Sequence, residues 1–355
     1  MTTQPINTAL CAFGMSGWVF HAPFLQLHPG FNLYAVWERS KKTAQEKYPH
    51  IISYSSLEEI LNDDAIELVV VNTPSYSHYE YTKKALQAGK HVIVEKPFTA
   101  TAAEAEELKT LAEKQQKKLS VYQNRRYDSD FKTVKKIVES GVLGDMVDAE
   151  IHYDRYSVEL SPKKHKEIPG PAVGIVYDLG SHLIDQALQL FGMPQAVFGD
   201  IATRRPVATV SDYFEILLYY PTFRVRLKSC YHVREPLPGF IMHGTIGSFL
   251  KSRADVQEIL LQAGETPGKE DWGREPEREE GLLHTEKDGK QVRERVPTEP
   301  GNYSEYYEGI YQAIRHNKKL PVTAAEGVDV IRIIEAVNES NQAMKVIRLD
   351  GKKQV

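Results

Sequence analysis

His91-Val92-Ile93-Val94-Glu95-Lys96-Pro97 brings an unbroken β-branched run to a charged pair and a proline. Val92, Ile93 and Val94 show no polar alternation, which predicts a strand buried on both faces, as in a parallel sheet covered by helices. Glu95 and Lys96 then stand at its carboxyl end. Ligands of open α/β sheets bind outside the carboxyl ends of strands, so Lys96, set there by Pro97, is a candidate for contact with a substrate. A solvated loop lysine is the plainer reading of the same residue.

Outward from this stretch, strand and helix alternate. Residues 8–13 (TALCAF) predict a short strand running into Gly14-Met15-Ser16-Gly17, with a helix over 18–27. Against the dinucleotide fingerprint G-x-G-x-x-G the turn reads Ala12-x-Gly14-x-x-Gly17. The first glycine is replaced, while the two that allow backbone approach to a pyrophosphate and close helix packing stand. An ordinary turn with small residues for packing would look the same. A second strand over 32–37 ends in Glu38-Arg39-Ser40-Lys41, about 20 residues on, where an adenosine ribose would be read.

Ser56-x-x-Glu59 is a capping box opening a helix over 57–61, and 66–71 (IELVVV) is a buried strand ended by Asn72-Thr73-Pro74. A helix over 77–88 stops at Gly89, Thr101-x-x-Glu104 caps a helix through 118, and the strand 119–122 ends in Gln123-Asn124-Arg125-Arg126. This alternation specifies α/β architecture: a Rossmann-type doubly wound parallel sheet forming a dinucleotide-binding domain over residues 1–125.

Past residue 125 the pattern changes. Strands are predicted over 147–156, 196–203, 212–220, 224–231 and 240–250, with few helices between them. Val225, Leu227, Ser229 and Tyr231 alternate with Arg224, Arg226, Lys228 and Cys230, the mark of a half-covered, mostly antiparallel sheet. Residues 264–281 are polar and turn-rich and read as a surface loop, followed by a hairpin turning at Asp288-Gly289. A helix over 303–316 and one capped by Thr323-x-x-Glu326 close an α+β domain over residues 126–355. Its large open sheet lacks an internal cover on one face. Phe214, Ile216, Val225 and Leu227 exceed what the available helices can bury, so a homodimer or homotetramer is expected.

Composition bounds the function. At 355 residues and 41% hydrophobic content the chain suits two domains, and a net charge of −4 offers no basic face for nucleic acid. Only Cys11 and Cys230 are present, with no C-x-x-C, which argues against a disulfide framework and points to a reducing cytoplasm. The segment Met1-Thr2-Thr3-Gln4-Pro5 has no basic or apolar signal character, and no run of ~18 apolar residues occurs. Neither secretion nor a membrane span is expected.

Residues 174–191 (GIVYDLGSHLIDQALQLF) predict a helix stopped by Gly192. Asp178, His182, Asp185 and Gln189 share one face, and Val176, Leu179, Leu183, Ala187 and Leu190 share another. A carboxylate one turn from an imidazole can orient the ring and raise its basicity. A polar outer face with a surface histidine is the plain alternative, and a metal pair a third that lacks any other ligand cluster.

With these motifs in view, the sequence resembles the Gfo/Idh/MocA oxidoreductases over nearly its whole length. The resemblance rests on Glu95-Lys96-Pro97 and Asp178-x-x-x-His182, with Phe20-His21-Ala22-Pro23, Gln123-Asn124-Arg125-Arg126 and Asp178-Leu179-Gly180-Ser181-His182 similar to the branch that includes NADP-dependent scyllo-inositol dehydrogenases. It implies a nicotinamide-binding Rossmann domain, a second domain used for oligomerisation, and oxidation of a sugar or polyol hydroxyl. Lys96, Asp178 and His182 fall on the family's catalytic Lys, Asp and His. Ala12, Gly14, Met15, Ser16, Gly17, Glu38, Arg39, Lys41, Asn72, Thr73, Pro74, His78, Glu95 and Lys96 are the cofactor-binding candidates. Two departures stand out: Ala12 replaces a glycine, and the lid-like stretch 161–171 (SPKKHKEIPGP) lacks the Arg/Trp pattern of the inositol enzymes.

Hydride leaves a carbinol carbon as its hydroxyl loses a proton, so a base and a cation near the developing alkoxide are needed. With a reference pKa of ~6.5, His182 suits the base, whereas Lys96, at ~10.4, suits the electrostatic donor. Asp178 orients His182 and a substrate hydroxyl. Asn124, Arg125, Tyr153, Arg155 and Lys163 are candidate substrate contacts, with solvated surface as their alternative. The cofactor is NADP or NAD: Glu38 suits a free ribose hydroxyl, while Arg39, Ser40 and Lys41 suit a 2'-phosphate. Three rivals are an NAD-dependent glycosidase of the same superfamily, a cofactor-bound sensor and a structural dimer subunit. A sensor has no need of base, orienter and cation together, and a glycosidase would leave no net reduction of added cofactor.

Overall fold

The computed structural model describes residues 4–38 and 42–349. One sheet contains β1 (Ile6–Leu10), β2 (Phe31–Trp37), β3 (Ile52–Tyr54), β4 (Leu68–Val71), β5 (His91–Glu95) and β6 (Leu119–Tyr122). These six strands run parallel in the order β3-β2-β1-β4-β5-β6. Val69 to Val71 and Val92 to Val94 are at most 1% exposed, as the unalternated runs require. Strand order reverses between β1 and β4, and a crevice at their carboxyl ends follows from that topology.

Local signals set the helices. Thr101 and Glu104 form a reciprocal capping box at helix Ala102–Lys114. At helix Leu57–Asn62, Ser56 accepts from Glu59 N, but the Glu59 carboxylate turns to Ser55, whose amide (3.0 Å) and hydroxyl (2.6 Å) offer two donors.

The chain forms two compact units. The first comprises Met1–Tyr127, Val256–Trp272 and Asn302–Val328; the second comprises Asp128–Asp255, Gly273–Gly301 and Asp329–Val355. Where sequence suggests one cut near residue 125, the chain returns to the first unit twice. Fully buried Gln257 ties the returns together. Its Nε2 donates to Tyr127 O (3.1 Å), and its Oε1 accepts from Trp272 Nε1 (3.2 Å) and Tyr303 N (2.9 Å). Tyr303, Tyr306 and Tyr307 are buried here, and Tyr307 stacks on Phe24.

The second unit carries a nine-stranded sheet: β7 (Met146–His152), β8 (Ala196–Ala202), β9 (Tyr213–Tyr219), β10 (Arg224–Cys230), β11 (Phe240–Gly244), β12 (Gly247–Lys251), β13 (Gly281–Lys287), β14 (Lys290–Val296) and β15 (Ile347–Arg348). Its order is β14-β13-β12-β11-β7-β10-β9-β8-β15, and only the β7–β10 pair is parallel.

Three expectations are corrected here. The strand expected over 240–250 is a hairpin, β11–β12. A Cβ on Gly244 would lie 2.2 Å from Leu143 O, and the chain reverses at Thr245 and Ile246, whose amides bond Asp145 O and Leu143 O. The polar loop 264–281 is not all surface: Trp272 is 8% exposed, and Glu275 forms a fully buried ion pair with Lys251. Its charged composition hides this because the buried charges neutralise each other. Lastly, Phe214, Ile216, Val225 and Leu227 are all fully buried within the chain. Helix Ser181–Phe191 packs on β7 and β10, and helix Ala324–Ala343 comes so close to β8 that a Cβ on Gly199 would meet Val337 at 2.7 Å. The opposite face holds alternating residues such as Leu217, Arg226 and Glu150. No helix among the described residues is long and apolar enough to cross a membrane.

Candidate active site

In the first unit, the carboxyl ends of β1 and β4 are clamped by one amide. Ala12 N donates to Asn72 Oδ1 (2.9 Å), and Asn72 Nδ2 donates to Ala12 O (2.8 Å). This fixes the turn at the position where the fingerprint's first glycine is missing. A Cβ on Gly17 would lie 2.4 Å from Ala12 O, so only glycine fits there. A Cβ on Gly14 would meet nothing within 4 Å. That open ground above a bare backbone suits a dinucleotide pyrophosphate. Met15 is partly exposed beside it, and Ser16–His21 wind as a π-helical turn into helix Ala22–Leu27.

β5 delivers Glu95 and the Lys96 amide into a part-buried network. Glu95 Oε1 accepts from Ser16 Oγ (2.5 Å) and His21 Nε2 (3.0 Å), while Oε2 accepts from Lys96 N (3.2 Å). Burial would raise the Glu95 carboxyl. The hydrogen bond and charge of His21, then the Ser16 bond and the Lys96 charge, bring it down instead to about 2. His78 staples neighbouring strand ends: Nδ1 meets Pro97 O at 2.7 Å, and Nε2 meets Thr73 O at 2.9 Å. Burial pushes its imidazole below the ordinary value. Thr73 Oγ1 bonds Ser77 Oγ (2.7 Å), holding the Thr73-Pro74 turn.

At the end of β2 the Glu38 carboxylate turns inward. It accepts from Thr43 N (2.9 Å), Thr43 Oγ1 (3.0 Å) and Ala44 N (3.2 Å), capping helix Ala44–Lys47. Glu38 is 8% exposed. Arg39, Ser40 and Lys41 lie outside the described residues. Beyond β6, Asn124 is buried, and Arg125 pairs with Glu258 and donates to Tyr303 Oη (3.3 Å). Solvated surface is thus not the environment of either residue.

In the second unit, residues 174–191 begin as a π-helical turn, Val176–Gly180, and continue as helix Ser181–Phe191. His182, Asp185 and Gln186 are 4%, 2% and 0% exposed, which overturns the plain alternative of a polar outer face. Asp178 accepts from Lys166 Nζ at 2.9 Å. The stretch bearing Lys166 is anchored by buried Arg205, which bonds Asp212 Oδ2 (2.8 Å), Glu159 O (2.8 Å) and Glu167 Oε2 (3.2 Å). Lys163 N donates to Ser161 Oγ in the same strap. Arg155 donates to Tyr153 Oη (3.3 Å), and Arg253 lies 4.5 Å from the Tyr153 ring centroid. Burial first, then the Asp178 charge, pushes the Tyr231 phenol up to about 12. Among the described residues no cluster of three or more His, Cys, Asp or Glu is arranged to hold a metal ion.

His21, Lys166, Arg205 and Arg253 escaped the sequence reading as site residues. Phe20-His21-Ala22-Pro23 was a visible signal for the first. The others depend on tertiary contacts that no local pattern announces.

The chain matches the description "Oxidoreductase family, NAD-binding Rossmann fold" over residues 6–123 and "Oxidoreductase family, C-terminal alpha/beta domain" over residues 135–349, the two parts of the GFO_IDH_MocA family. It is 41% identical to the scyllo-inositol 2-dehydrogenase (NADP(+)) IolW of Bacillus subtilis, over 97% of this chain and 96% of that one. D-glucoside 3-dehydrogenase of Escherichia coli is 28% identical over 55% of this chain and 56% of its own. Among solved structures, Bacillus subtilis yvaA superposes with a TM-score of 0.93 at 40% identity, covering 98% of this chain and 100% of that one. An oxidoreductase of Bacteroides fragilis does so with a TM-score of 0.89 at 46% identity and the same coverage.

Proposed function

Because the chain belongs to the Gfo/Idh/MocA oxidoreductase family, we propose that it is an NAD(P)-dependent dehydrogenase acting on a secondary hydroxyl of a sugar or inositol-like polyol. The observation that supports this most is Lys96 at the carboxyl end of β5, its amide bonded to an ionised Glu95, in the unit whose glycine turn leaves room for a dinucleotide. Bound nicotinamide dinucleotide supplies the hydride acceptor. Lys96 donates to the substrate oxygen as negative charge develops on it. His182, whose burial keeps bulk water from its ring, takes the hydroxyl proton. Asp178 orients a substrate hydroxyl and the imidazole, and Tyr153, Arg155, Asn124 and Arg125 read the remaining hydroxyls.

The inward turn of Glu38 favours NADP. A carboxylate already bonded to Thr43 and Ala44 is a poor acceptor for a ribose 2'-hydroxyl, which leaves Arg39 and Lys41 to meet a 2'-phosphate. The enzyme works as a homo-oligomer, and two free cysteines, one of them buried, suit a reducing cytoplasm. A panel of sugars and inositols with NAD+ and NADP+, read by absorbance of the reduced cofactor, tests this reading. Net reduction with at least one polyol is expected. Failure across the panel, with cofactor binding intact, would overturn it.

A further inference from the structure

The tetrapeptide Phe20-His21-Ala22-Pro23 has no place in the mechanism above, yet its histidine is fully buried against the residue that precedes Lys96. We propose that His21 and Ser16 are positioning residues for Lys96, acting through the Glu95 carboxylate. This rests on the role given to Lys96 above.

An ionised carboxylate only accepts, so both groups on Glu95 Oε1 must be donors: the Ser16 hydroxyl at 2.5 Å and His21 Nε2–H at 3.0 Å. The other oxygen, Oε2, is thereby aimed at the Lys96 amide, 3.2 Å away. The far side of the imidazole is fixed as well. His21 Nδ1 lies 2.8 Å from Tyr307 Oη, and that phenol reaches Phe20 O at 2.7 Å. Tyr122 Oη donates to the same carbonyl at 2.9 Å, and its ring packs 4.6 Å from the imidazole. A ring held at both nitrogens and packed by Tyr122 has one orientation.

Two consequences follow. The backbone that carries Lys96 is fixed by a carboxylate that cannot rotate without breaking two charge-assisted bonds. Ser16 belongs to the glycine turn, so the segment that receives the pyrophosphate and the residue that meets the substrate oxygen are two hydrogen bonds apart. Misplacing a catalytic group by about 1 Å can cost on the order of 100-fold in rate.

The test is a double-mutant cycle on the NADP-loaded enzyme with the best substrate of the panel. His21→Leu is expected to lower kcat about 100-fold, with KM and the NADP dissociation constant within about threefold. His21→Gln, which can still donate to Glu95, should recover much of the loss, and Ser16→Ala should fall between. In a Lys96→Met background, His21→Leu should cost little further. Additive losses, or wild-type kcat in His21→Leu, would overturn the inference while leaving the role of Lys96 standing. Wild-type turnover in Lys96→Met would overturn both. A measurement that needs no substrate stands beside the cycle: amide exchange at Lys96, followed by mass spectrometry, should quicken about tenfold or more in His21→Leu and Ser16→Ala. The strands β1 and β4 should keep their protection in both variants. Unchanged exchange at Lys96 would sink the proposal.

Discussion

Lys166 Nζ lies 2.9 Å from Asp178 Oδ2, so the strap over residues 159–167 closes on the carboxylate to which a substrate role is assigned. The side chains are 43% and 26% exposed, which limits such a pair to about 1 kcal/mol. Lys166 therefore competes only weakly with a sugar hydroxyl for Asp178. Lys166→Met is expected to lower KM by up to about fivefold, the equivalent of that energy, with kcat changed less. A raised KM in steady-state kinetics would make Lys166 a substrate contact instead.

Base and donor should be separable from binding. His182→Ala and Lys96→Ala are each expected to lower turnover at least ~100-fold, the scale of a lost general base or charge-stabilising donor. Thermal unfolding should show the fold intact. Near wild-type turnover in either variant would remove that residue from the mechanism.

Cofactor choice is expected to follow Arg39 rather than Glu38. Arg39→Ala should weaken NADP at least tenfold more than NAD, a difference of ~1.4 kcal/mol. Glu38→Ala removes the acceptor that caps Thr43 and Ala44, so it should lower stability by roughly 1 kcal/mol while sparing NADP affinity. Equal losses of the two cofactors in Arg39→Ala, measured by titration, would return the ribose to Glu38.

The first sheet was legible because its signals are local: β-branched runs such as Val92-Ile93-Val94, the Thr101 capping box and the glycines at 14 and 17 each specify their own geometry. Sequence could not foresee that Gln257 and Tyr303 rejoin the first unit, because a side chain binding Tyr127 O from 130 residues away leaves no periodic trace. Glu275 was invisible for a related reason. A charged residue in a polar stretch reads as solvated until its partner, here Lys251, is known. In the candidate site, the glycine turn at 14–17 and the helical segment carrying Asp178 and His182 were readable as local structure. Lys166 was not, since three lysines in one exposed strap are alike until one of them meets a carboxylate.

Acid should loosen the Lys96 end of β5 in a defined window. The Glu95 carboxyl is held near 2, below its usual 4.5, so its stabilising contribution is complete above about pH 4.5 and is lost as pH falls through about 2. Glu95→Gln lacks that dependence. Denaturant titrations at about pH 6 and about pH 3 are expected to find the wild-type margin over Glu95→Gln narrowing by on the order of 2 kcal/mol. A margin that stays constant would mean the carboxyl is not held ionised.

Assembly does not rest on Phe214 and Val225, whose side chains are fully buried inside the chain. The other face of the sheet carries a row in register across seven strands: Leu282, Leu250, Ile241, Glu150, Arg226, Leu217 and Phe198. All seven are half-buried, and Glu150 and Arg226 form an ion pair at 2.7 Å in the middle of the row. Apolar side chains flanking a neutralised pair make a flat surface that loses little by leaving water, and a two-fold dimer can bury the same surface on both copies. Sedimentation at micromolar concentration is expected to find at least a dimer, and Ile241→Lys with Leu250→Lys should shift it to monomer without unfolding. A wild-type protein that sediments as one chain would rule out assembly through this face, and a dimer untouched by the double substitution would place the interface elsewhere.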